Sequence, residues 1–396
     1  MALILQCARV YTRDAFTNKD IAIEDGKIVA MGKNIPVSTT DLLFSCENMI
    51  LIPGFADVHV HLREPGFSEK ETIRTGSKAA ARGGYGVVCS MPNINPAPDT
   101  REHLSEQLRL IGRDAAIRVA PVGCLTMGRQ GKMPAALEEL APDVCAFSDD
   151  GAGVMDDGVM RECMERIRAF DGLVAAHCED TRYDGNASEW KMIERDLALA
   201  AETGCRYHVC HLSTREGLSL IRDAKKAGLR VSCETAPHYL VLDEGDREGD
   251  TDGRYHMNPP LRSRADREAM LAGVADGSID CIATDHAPHT AADKQKGAMG
   301  IIGMETAFPV VYTKLVREGV LTLERVVDAM SVRGRELFRV GGGRIMPGEP
   351  AEVTCIDLGT PYTIHAEGFA SKGRNTPFDG LRVYGRIVRN FAVKEG

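Results

Sequence analysis

Histidine and aspartate residues recur at the ends of short apolar runs in the middle of the chain. The stretch DVHVHLREPG, residues 57–66, places His59 and His61 two positions apart, so both side chains lie on one face of an extended segment. Other runs end in the same residue types, at Asp149-Asp150, His177, His211 and Asp285. Imidazole and carboxylate groups are ligands that zinc and similar divalent ions favour. The pattern therefore predicts a metal site if the fold brings the ends of these runs together.

The number of candidate ligand residues indicates how many metal ions the site would bind. Four histidines and two carboxylates are too many ligands for one tetrahedral ion. They suit two ions bridged by a carboxylate, with a hydroxide between them. A lone H-x-H pair is more often an ordinary core or surface pair, so the hypothesis depends on the five run ends that carry such residues. Of the other histidines, His208 is predicted to point off the opposite face of its strand from His211. His238 is interpreted as structural, with a supporting role behind the ligands as the alternative.

The runs belong to a regular alternation between Pro53 and about Arg344. Eight short apolar runs are separated mostly by helical patterns: FADVHV, YGVVCSM, AIRVAPVG, VCAFS, LVAAH, YHVCHL, RVSCET and IDCIAT. Eight β–α units over this length predict an α/β fold, a (β/α)8 TIM barrel, whose strands gather their carboxyl ends at one mouth. A doubly wound sheet is the alternative. It would carry a glycine-rich phosphate turn after its first strand, where this chain has His-Val-His.

Short sequence motifs predict where several helices begin and where further strands lie near the two ends of the chain. Capping boxes are predicted at Ser68 with Glu71, Ser213 with Glu216, and Ser263 with Asp266. The segment DIAIEDGKIVAMG predicts two strands joined at Asp25-Gly26, and AEVTCIDL and LRVYGRIVRNFAV predict further strands near the other end. Each end alone offers too few strands for a stable sheet. We therefore expect residues 1–50 and 346–396 to form one small composite β-sandwich domain beside a barrel of residues 51–345.

Composition excludes several classes of function. The 396 residues carry a net charge of −9 without a basic patch, which argues against a nucleic-acid partner. The 12 cysteines include no C-x-x-C pair, and many lie in apolar runs, so we expect a reducing, cytoplasmic setting rather than a disulfide framework. No stretch approaches the length of a membrane span, and the first residues do not read as a signal peptide.

The motifs together resemble a known family. PGFADVHVHLREPG, MPN, SDDG, HCED, HVCHLST, MNPPLR, IATDHAPH, GMETAFP and SKGRNTPF occur in this order between about residues 45 and 390. They resemble the bacterial type I dihydroorotases, a group within the amidohydrolase superfamily. HLREPG, TDHAPH and SKGRNTPF in combination are highly specific, whereas H-x-H alone is not.

The resemblance implies a role for each candidate residue. His59, His61 and Asp285 would bind the more buried metal, His177 and His211 the second, and Asp150 would bridge them, with Zn2+ expected at two sites per chain. Asp285 would also act as the general acid and base. Arg63, Asn93 and His289 would hold the carboxylate of dihydroorotate, and Asn258 the ring amide. From the residues alone, Arg63 could instead pair with Glu64 or another acid, and Asn93 could cap the next helix.

The chain also departs from its relatives. Between His177 and His211 it lacks an extra loop that they carry, and only TRYDGNASEW precedes the next helix. The fifth βα loop should therefore be short, which affects the surroundings of the second metal.

The alternatives are another cyclic amidase of the hydantoinase or allantoinase kind, a metal-free scaffold for aspartate transcarbamoylase, and a metal-dependent deaminase. Hydantoinases and allantoinases carry a carboxylated lysine at the bridge, where this chain has Asp149-Asp150. The retained ligands argue against a scaffold, and HLREPG argues against a deaminase. The resemblance also implies a homodimer and a possible complex with the transcarbamoylase.

Overall fold

The N-terminal segment folds into a run of strands. The computed structural model of the protein describes residues 1–13 and 15–392. The first strands are β1 (Leu3–Tyr11), β2 (Phe16–Glu24), β3 (Lys27–Gly32), β4 (Leu42–Ser45) and β5 (Met49–Pro53). β2 and β3 form the predicted hairpin. Asp25 and Gly26 at its turn both have positive φ, 48° and 70°, as the tight turns that match the twist of a hairpin require.

The predicted apolar runs all contain strands, and these build a TIM-barrel-type α/β fold. The strands are β6 (Phe55–Val60), β7 (Tyr85–Ser90), β8 (Arg118–Pro121), β9 (Gly123–Cys124), β10 (Phe147–Ser148), β11 (Leu173–Ala176), β12 (Arg206–Val209), β13 (Val231–Thr235) and β14 (Cys281–Ile282). One arc of parallel neighbours runs β9-β10-β11-β12-β13-β14 and another runs β6-β7-β8. The run AIRVAPVG supplies both β8 and β9, which links the arcs on one side. A parallel bridge between Val60 and His286 links them on the other.

Helices separate most of these strands. They are α1 (Ile73–Arg82), α2 (Arg101–Asp114), α3 (Leu137–Leu140), α4 (Asp157–Ala169), α5 (Asn186–Thr203), α6 (Arg215–Lys226), α7 (Pro237–Val241), α8 (Arg264–Asp276), α9 (Ala291–Gln295), α10 (Ala307–Val311), α11 (Leu323–Val327) and α12 (Arg333–Phe338). Among the described residues, none of the helices combines the length and apolar character that a membrane span needs.

Strands from both chain ends share a mixed sheet. The C-terminal strands are β15 (Val353–Asp357), β16 (Tyr362–Thr363), β17 (Arg382–Val383) and β18 (Arg386–Asn390). β15 lies antiparallel between β5 and β18, and the sheet order is β18-β15-β5-β1-β2-β3, with β4 also beside β1. An apolar cluster of its own lies on this sheet, with members such as Leu5, Ile21, Leu51 and Val353. The expected joining of the two ends is therefore present.

Candidate metal centre and active site

The predicted metal ligands meet at the carboxyl ends of the strands. His59 lies in β6 and His61 follows it, and the remaining ligands follow β10, β11, β12 and β14. All are buried, with exposed fractions of at most 6%: His59, His61, Asp150, His177, His211 and Asp285. Parallel strands of a barrel have their carboxyl ends on the same side, so residues that follow different strands lie close together although they are far apart in sequence.

Asp150 lies at the centre of the cluster. Its Oδ1 is 3.3 Å from His59 Nε2, 3.5 Å from His211 Nε2 and 3.6 Å from His177 Nδ1. Its Oδ2 is 3.5 Å from His61 Nε2. Burial raises the pKa of Asp150, but the surrounding imidazoles, above all His59, outweigh burial and hold this pKa well below its usual range. The two oxygens of this one carboxylate thus lie within 3.6 Å of all four imidazoles.

The neighbouring Asp149 points away from the imidazoles. Its Oδ1 accepts hydrogen bonds from the backbone N–H groups of Leu125 and Thr126, at 2.9 and 3.0 Å, and its Oδ2 accepts one from the Thr126 hydroxyl. These contacts fix the loop after β9 to the end of β10. The spacing of Asp149 and Asp150 in the sequence left their roles open, and the contacts show that Asp149 braces the loop whereas Asp150 faces the imidazoles.

Asp285 closes the cluster on the side of β6. Its Oδ1 lies 3.0 Å from His61 Nε2 and 3.6 Å from His59 Nε2. Burial raises the pKa of Asp285, but the hydrogen bond from His61 and the charges of the nearby imidazoles lower it below its ordinary value. The backbone φ angles of Asp285 and His211 are positive, 48° and 34°, a conformation that costs about 1–3 kcal/mol and concentrates at functional sites.

Two buried atoms in the cluster lack partners. His59 Nε2 and Asp150 Oδ1 make no hydrogen bond to any described residue, and such an atom costs about 1–3 kcal/mol. The ligand atoms of His59, His61 and Asp150 lie within 4.8 Å of one another, as do those of Asp150, His177 and His211. A divalent ion would give both orphaned atoms a partner. The donor set therefore fits metal ions held by imidazole and carboxylate.

A buried acid behind the cluster orients His59. His59 Nδ1 lies 2.7 Å from Glu234 Oε1, while Glu234 Oε2 lies 3.2 Å from His208 Nε2. His208 Nδ1 is in turn 2.8 Å from Ser232 Oγ. Burial raises the pKa of Glu234, but the hydrogen bonds with His208 and His59 outweigh it and lower this pKa to about 2. Because a carboxylate only accepts, His59 Nδ1 donates its proton to Glu234, and Nε2 is the ring nitrogen that faces Asp150.

Two further ligands have comparable supports. His61 Nδ1 lies 2.8 Å from Asn93 Oδ1. His177 Nε2 lies 3.0 Å from Glu179 Oε2, which also accepts a 3.0 Å hydrogen bond from Asn258 Nδ2. The hydrogen bond from His177 is the main cause that lowers the pKa of Glu179 to about 2, against the effect of burial. Of the two asparagines predicted to bind substrate, Asn93 therefore contacts the predicted ligand His61, and Asn258 contacts Glu179, the support of His177.

A cavity of about 210 Å³ opens in front of the cluster. It is lined by the predicted ligands other than His59, by the predicted substrate residues, and by four residues that were not predicted: Gly151, Ala287, Met299 and Gly300. The structure thus brings every predicted substrate residue, Arg63, Asn93, Asn258 and His289, to the same cavity as the ligand cluster.

Arg63 is a buried cation without an acidic partner. Only 8% of the residue is exposed, its Nε donates to the Pro288 carbonyl at 3.3 Å, and its Nη2 lies 3.2 Å from His289 Nε2. No carboxylate of the described residues lies within 4.0 Å of its nitrogens. Glu64, the alternative partner, instead accepts from the Ile73 backbone at 2.9 Å. Burial lowers the pKa of Arg63 to about 10, so the group remains charged at neutral pH and faces the cavity.

Sequence reasoning missed the supporting acids. Glu234 stands out as an acid inside the apolar run RVSCET, and Glu179 directly follows His177-Cys178 in HCED; these were the available signals. His208 was predicted only to point off the opposite face of its strand from His211, and it is buried there against Glu234. His238 is buried against Tyr239, with 4.1 Å between ring centroids, and burial lowers the pKa of His238 to about 4.

Curated relatives align over nearly the whole chain. A dihydroorotase of Geobacillus sp. (strain WCH70) is 43% identical over 418 aligned positions, covering 99% of this chain and 97% of the relative. A dihydroorotase of Listeria innocua serovar 6a is 44% identical, covering 96% of this chain and 94% of the relative.

A solved structure has the same fold. L-Hydantoinase from Arthrobacter aurescens superposes with a TM-score of 0.91 at 26% identity, covering 98% of this chain and 93% of that chain. Residues 50–391 match the Amidohydrolase family. This match spans the barrel and includes every residue of the ligand cluster. The chain therefore belongs to the amidohydrolase family of metal-dependent hydrolases.

Proposed function

We propose that the protein is a dihydroorotase, which hydrolyses the cyclic amide of dihydroorotate to N-carbamoyl-L-aspartate and closes the ring in the reverse direction. The reverse reaction is the one that de novo pyrimidine biosynthesis uses. The observation that carries this proposal is Arg63, a buried guanidinium without an acidic partner among the described residues, in a small cavity beside the ligand cluster. A cyclic amide that bears a carboxylate supplies the missing partner. The dihydroorotase relatives support the same conclusion.

The cofactor proposed is Zn2+, two ions per chain. His59, His61 and Asp285 would hold one, His177 and His211 the other, and Asp150 would belong to both, in keeping with its position among the four imidazoles. Such a pair of ions, when bound, supplies a hydroxide at neutral pH and polarises the carbonyl under attack.

Asp285 is the proposed general base and acid. Like an ordinary aspartate, Asp285 is a carboxylate at neutral pH, and it can accept the proton of the attacking water. The same carboxyl group then delivers that proton to the ring nitrogen as the amide bond breaks. Asp285 lines the cavity, so both transfers take place within reach of one group.

Arg63, Asn93 and His289 are proposed to fix the substrate carboxylate. A guanidinium can donate two parallel hydrogen bonds to a carboxylate, which sets the orientation of the ring as well as its affinity. Burial and the charge of Arg63 lower the pKa of His289 to about 4, so His289 is neutral at pH 7 and adds no second charge. Asn258, which lines the same cavity, is proposed to contact the ring amide. Holding the carbonyl at attack distance lowers the entropic part of the activation barrier, because the reacting groups are already aligned on binding.

Relative rates test this proposal against a hydantoinase or allantoinase. We expect the purified protein to hydrolyse dihydroorotate at least about tenfold faster, by kcat/KM, than hydantoin or allantoin, and to lose the activity on chelation and regain it with zinc. Faster turnover of either neutral ring would contradict the proposal. Activity that is insensitive to complete removal of metal would contradict the role of the cluster.

The arrangement of the chain beyond the site is proposed as follows. Residues 1–50 and 346–396 form a small composite β domain and residues 51–345 the catalytic barrel, which the separate apolar cluster of the shared sheet supports. The resemblance to bacterial type I dihydroorotases supports a cytoplasmic homodimer and a complex with aspartate transcarbamoylase. Sedimentation of the protein alone and with the transcarbamoylase tests both assemblies.

A further inference from the structure

Lys294 is a buried lysine whose ammonium contacts only backbone. It lies in α9, on the segment between the ligand Asp285 and the cavity-lining Gly300, and 7% of the residue is exposed. Its Nζ donates to the carbonyls of His256 at 3.0 Å, Ala298 at 2.8 Å and Gly300 at 3.0 Å. A lysine has three N–H donors, and here all of them are used. No carboxylate of the described residues comes within ion-pair distance of this Nζ.

The three carbonyls belong to two segments, residues 256–258 and 298–300, that each contribute a wall to the active-site cavity. His256 precedes Asn258 by two positions, and Ala298 and Gly300 flank Met299; Asn258, Met299 and Gly300 line the cavity. The Gly300 N–H donates to the His256 carbonyl at 2.9 Å, in the same place as the lysine contact. Lys294 therefore joins the wall that carries Asn258 to the wall that carries Met299.

The second wall also reaches the substrate carboxylate site. Met299 O lies 2.8 Å from His289 Nε2, and His289 contacts Arg63. Asn375 Nδ2 donates to the Gly300 carbonyl at 2.8 Å. A displacement of residues 298–300 would thus move the carbonyl that contacts His289 as well as Met299 and Gly300 in the cavity lining.

Lys294 itself stands outside this cavity. It lines a larger cavity of about 820 Å³, which shares His289 with the inner one. Burial lowers the pKa of Lys294 to about 8, with the charges of Asp250 and Asp252 opposing the shift, so the ammonium prevails at neutral pH. Lys294 therefore lines the larger cavity and donates to Gly300, which lines the catalytic one.

We propose that Lys294 is a positioning residue for substrate binding: it fastens the Ala298–Gly300 wall to the Asn258 wall and so sets the shape of the cavity that receives the cyclic amide. This inference rests on the proposed function. Lys294 does not touch the substrate. Its effect is transmitted through backbone, which predicts a change in KM with the metal sites intact.

Lys294→Met is the test variant, and Lys296→Met is its matched control. Lys296 lies two positions away on the same segment and is exposed. It therefore has the same charge and sequence context as Lys294 but is not buried against the cavity walls. For Lys294→Met we expect KM for dihydroorotate to rise about tenfold or more with kcat changed less than about threefold, the signature of lost uniform binding. Zinc content should equal that of the wild type, and amide hydrogen exchange at residues 298–300 should accelerate. Lys296→Met should match the wild type in every measurement.

Lys294→Gln covers the case in which the methionine variant does not fold. An uncharged amide has two donors and a shorter reach, so it should raise KM in the same direction but by less. Lys294→Arg, which restores the charge and the donors, should recover part of the loss. A KM within twofold of the wild type in the folded variants, Lys294→Gln included, would overturn the inference, as would an equal effect of Lys296→Met.

The outcomes for the wild type separate the two proposals. If the wild-type protein loaded with zinc does not turn over dihydroorotate, the proposed function fails and this inference fails with it. If the wild type is active and the folded Lys294 variants are indistinguishable from it, only the positioning role fails. A lower melting temperature with unchanged KM in the Lys294 variants would identify Lys294 as a structural residue and would likewise refute its role in binding.

Discussion

Glu234 offers a measurement of how strongly a distant residue in the chain controls the metal site. Its carboxylate lies between the Nδ1 of His59 and the Nε2 of His208, at 2.7 and 3.2 Å, and is 1% exposed. Glu234→Gln keeps the volume and an acceptor oxygen but removes the negative charge. The amide oxygen would still accept from His59, so the ring would keep its orientation while its Nε2 became a weaker ligand.

The size of the effect follows from the lost charge. A hydrogen bond to a charged group contributes about 1.5–3 kcal/mol, and one between neutral groups about 0.5–1.5 kcal/mol. Exchanging one for the other at His59 therefore costs roughly 1–1.5 kcal/mol, or about tenfold in metal affinity. This lies within the range of about 10–100-fold that supporting carboxylates contribute at other metal sites. Glu234→Ala should cost more, because it leaves two buried imidazole groups without a partner.

Zinc titration of the metal-free protein against a competing chromophoric chelator measures this affinity. Asp196→Asn is the matched control, since Asp196 is another fully buried acid of the barrel, 2.6 Å from the Tyr207 hydroxyl and 2.7 Å from Arg195 Nε. Both variants should lose stability as metal-free proteins, which thermal unfolding will show. Only Glu234→Gln should bind zinc about tenfold more weakly. An affinity within twofold of the wild type, or an equal loss in Asp196→Asn, would refute the reasoning.

Other variants test the roles of single side chains. Arg63→Met should raise KM for dihydroorotate about 100-fold or more, because removing one partner of a buried ion pair costs about 3–5 kcal/mol; steady-state kinetics at unchanged zinc content measure this, and a rise below threefold contradicts it. Asp285→Asn should keep the fold and lower kcat by about 10²–10⁴-fold, the usual contribution of a general base; near-normal turnover removes Asp285 from that role. Asp150→Asn should lose bound zinc on gel filtration, whereas Asp149→Asn should lower the melting temperature and retain it; the reverse pattern would exchange their assignments.

The repeating units could be predicted because their signals are local. Each barrel strand is a short apolar run, and parallel neighbours place their ends at one edge, so the convergence of His59, His177, His211 and Asp285 follows from periodicity alone. Helix starts were less certain. Ser263 caps α8 as predicted, but Thr214 rather than Ser213 caps α6.

The capping box at Ser68 and Glu71 was wrong, and the reason is tertiary. Thr72 caps α1 with Thr75, while Glu71 Oε2 accepts a 2.5 Å hydrogen bond from the Ser371 hydroxyl and lies 3.4 Å from His286 Nε2. Glu71, which the local pattern assigned to the helix start, thus bonds Ser371, a residue 300 positions away in sequence. Ser371 belongs to SKGRNTPF, so this motif packs against α1 beside the ligand-bearing strands.

The supporting residues of the site escaped prediction for the same physical reason. Glu234 contacts His59 across 175 positions of sequence, and no periodicity encodes which buried acid will meet which imidazole. The two adjacent aspartates show the limit most directly. Asp149 and Asp150 have the same chemistry and neighbouring positions, and it is the backbone N–H groups of Leu125 and Thr126, with the Thr126 hydroxyl, that hold Asp149 away from the imidazoles.

The fold alone cannot decide between the cyclic amidases, since the barrel superposes on L-hydantoinase with a TM-score of 0.91. A neutral hydantoin ring would leave the Arg63 guanidinium desolvated and unpaired, a cost that a ligand carboxylate removes. The bridge gives an independent argument. Asp150 Oδ1 and Oδ2 already reach all four imidazoles, so no carboxylated lysine is needed to span them. In this protein, substrate preference should therefore depend on the charge of Arg63 more than on the shape of the barrel, and removing that charge should lower the preference for a ring that bears a carboxylate.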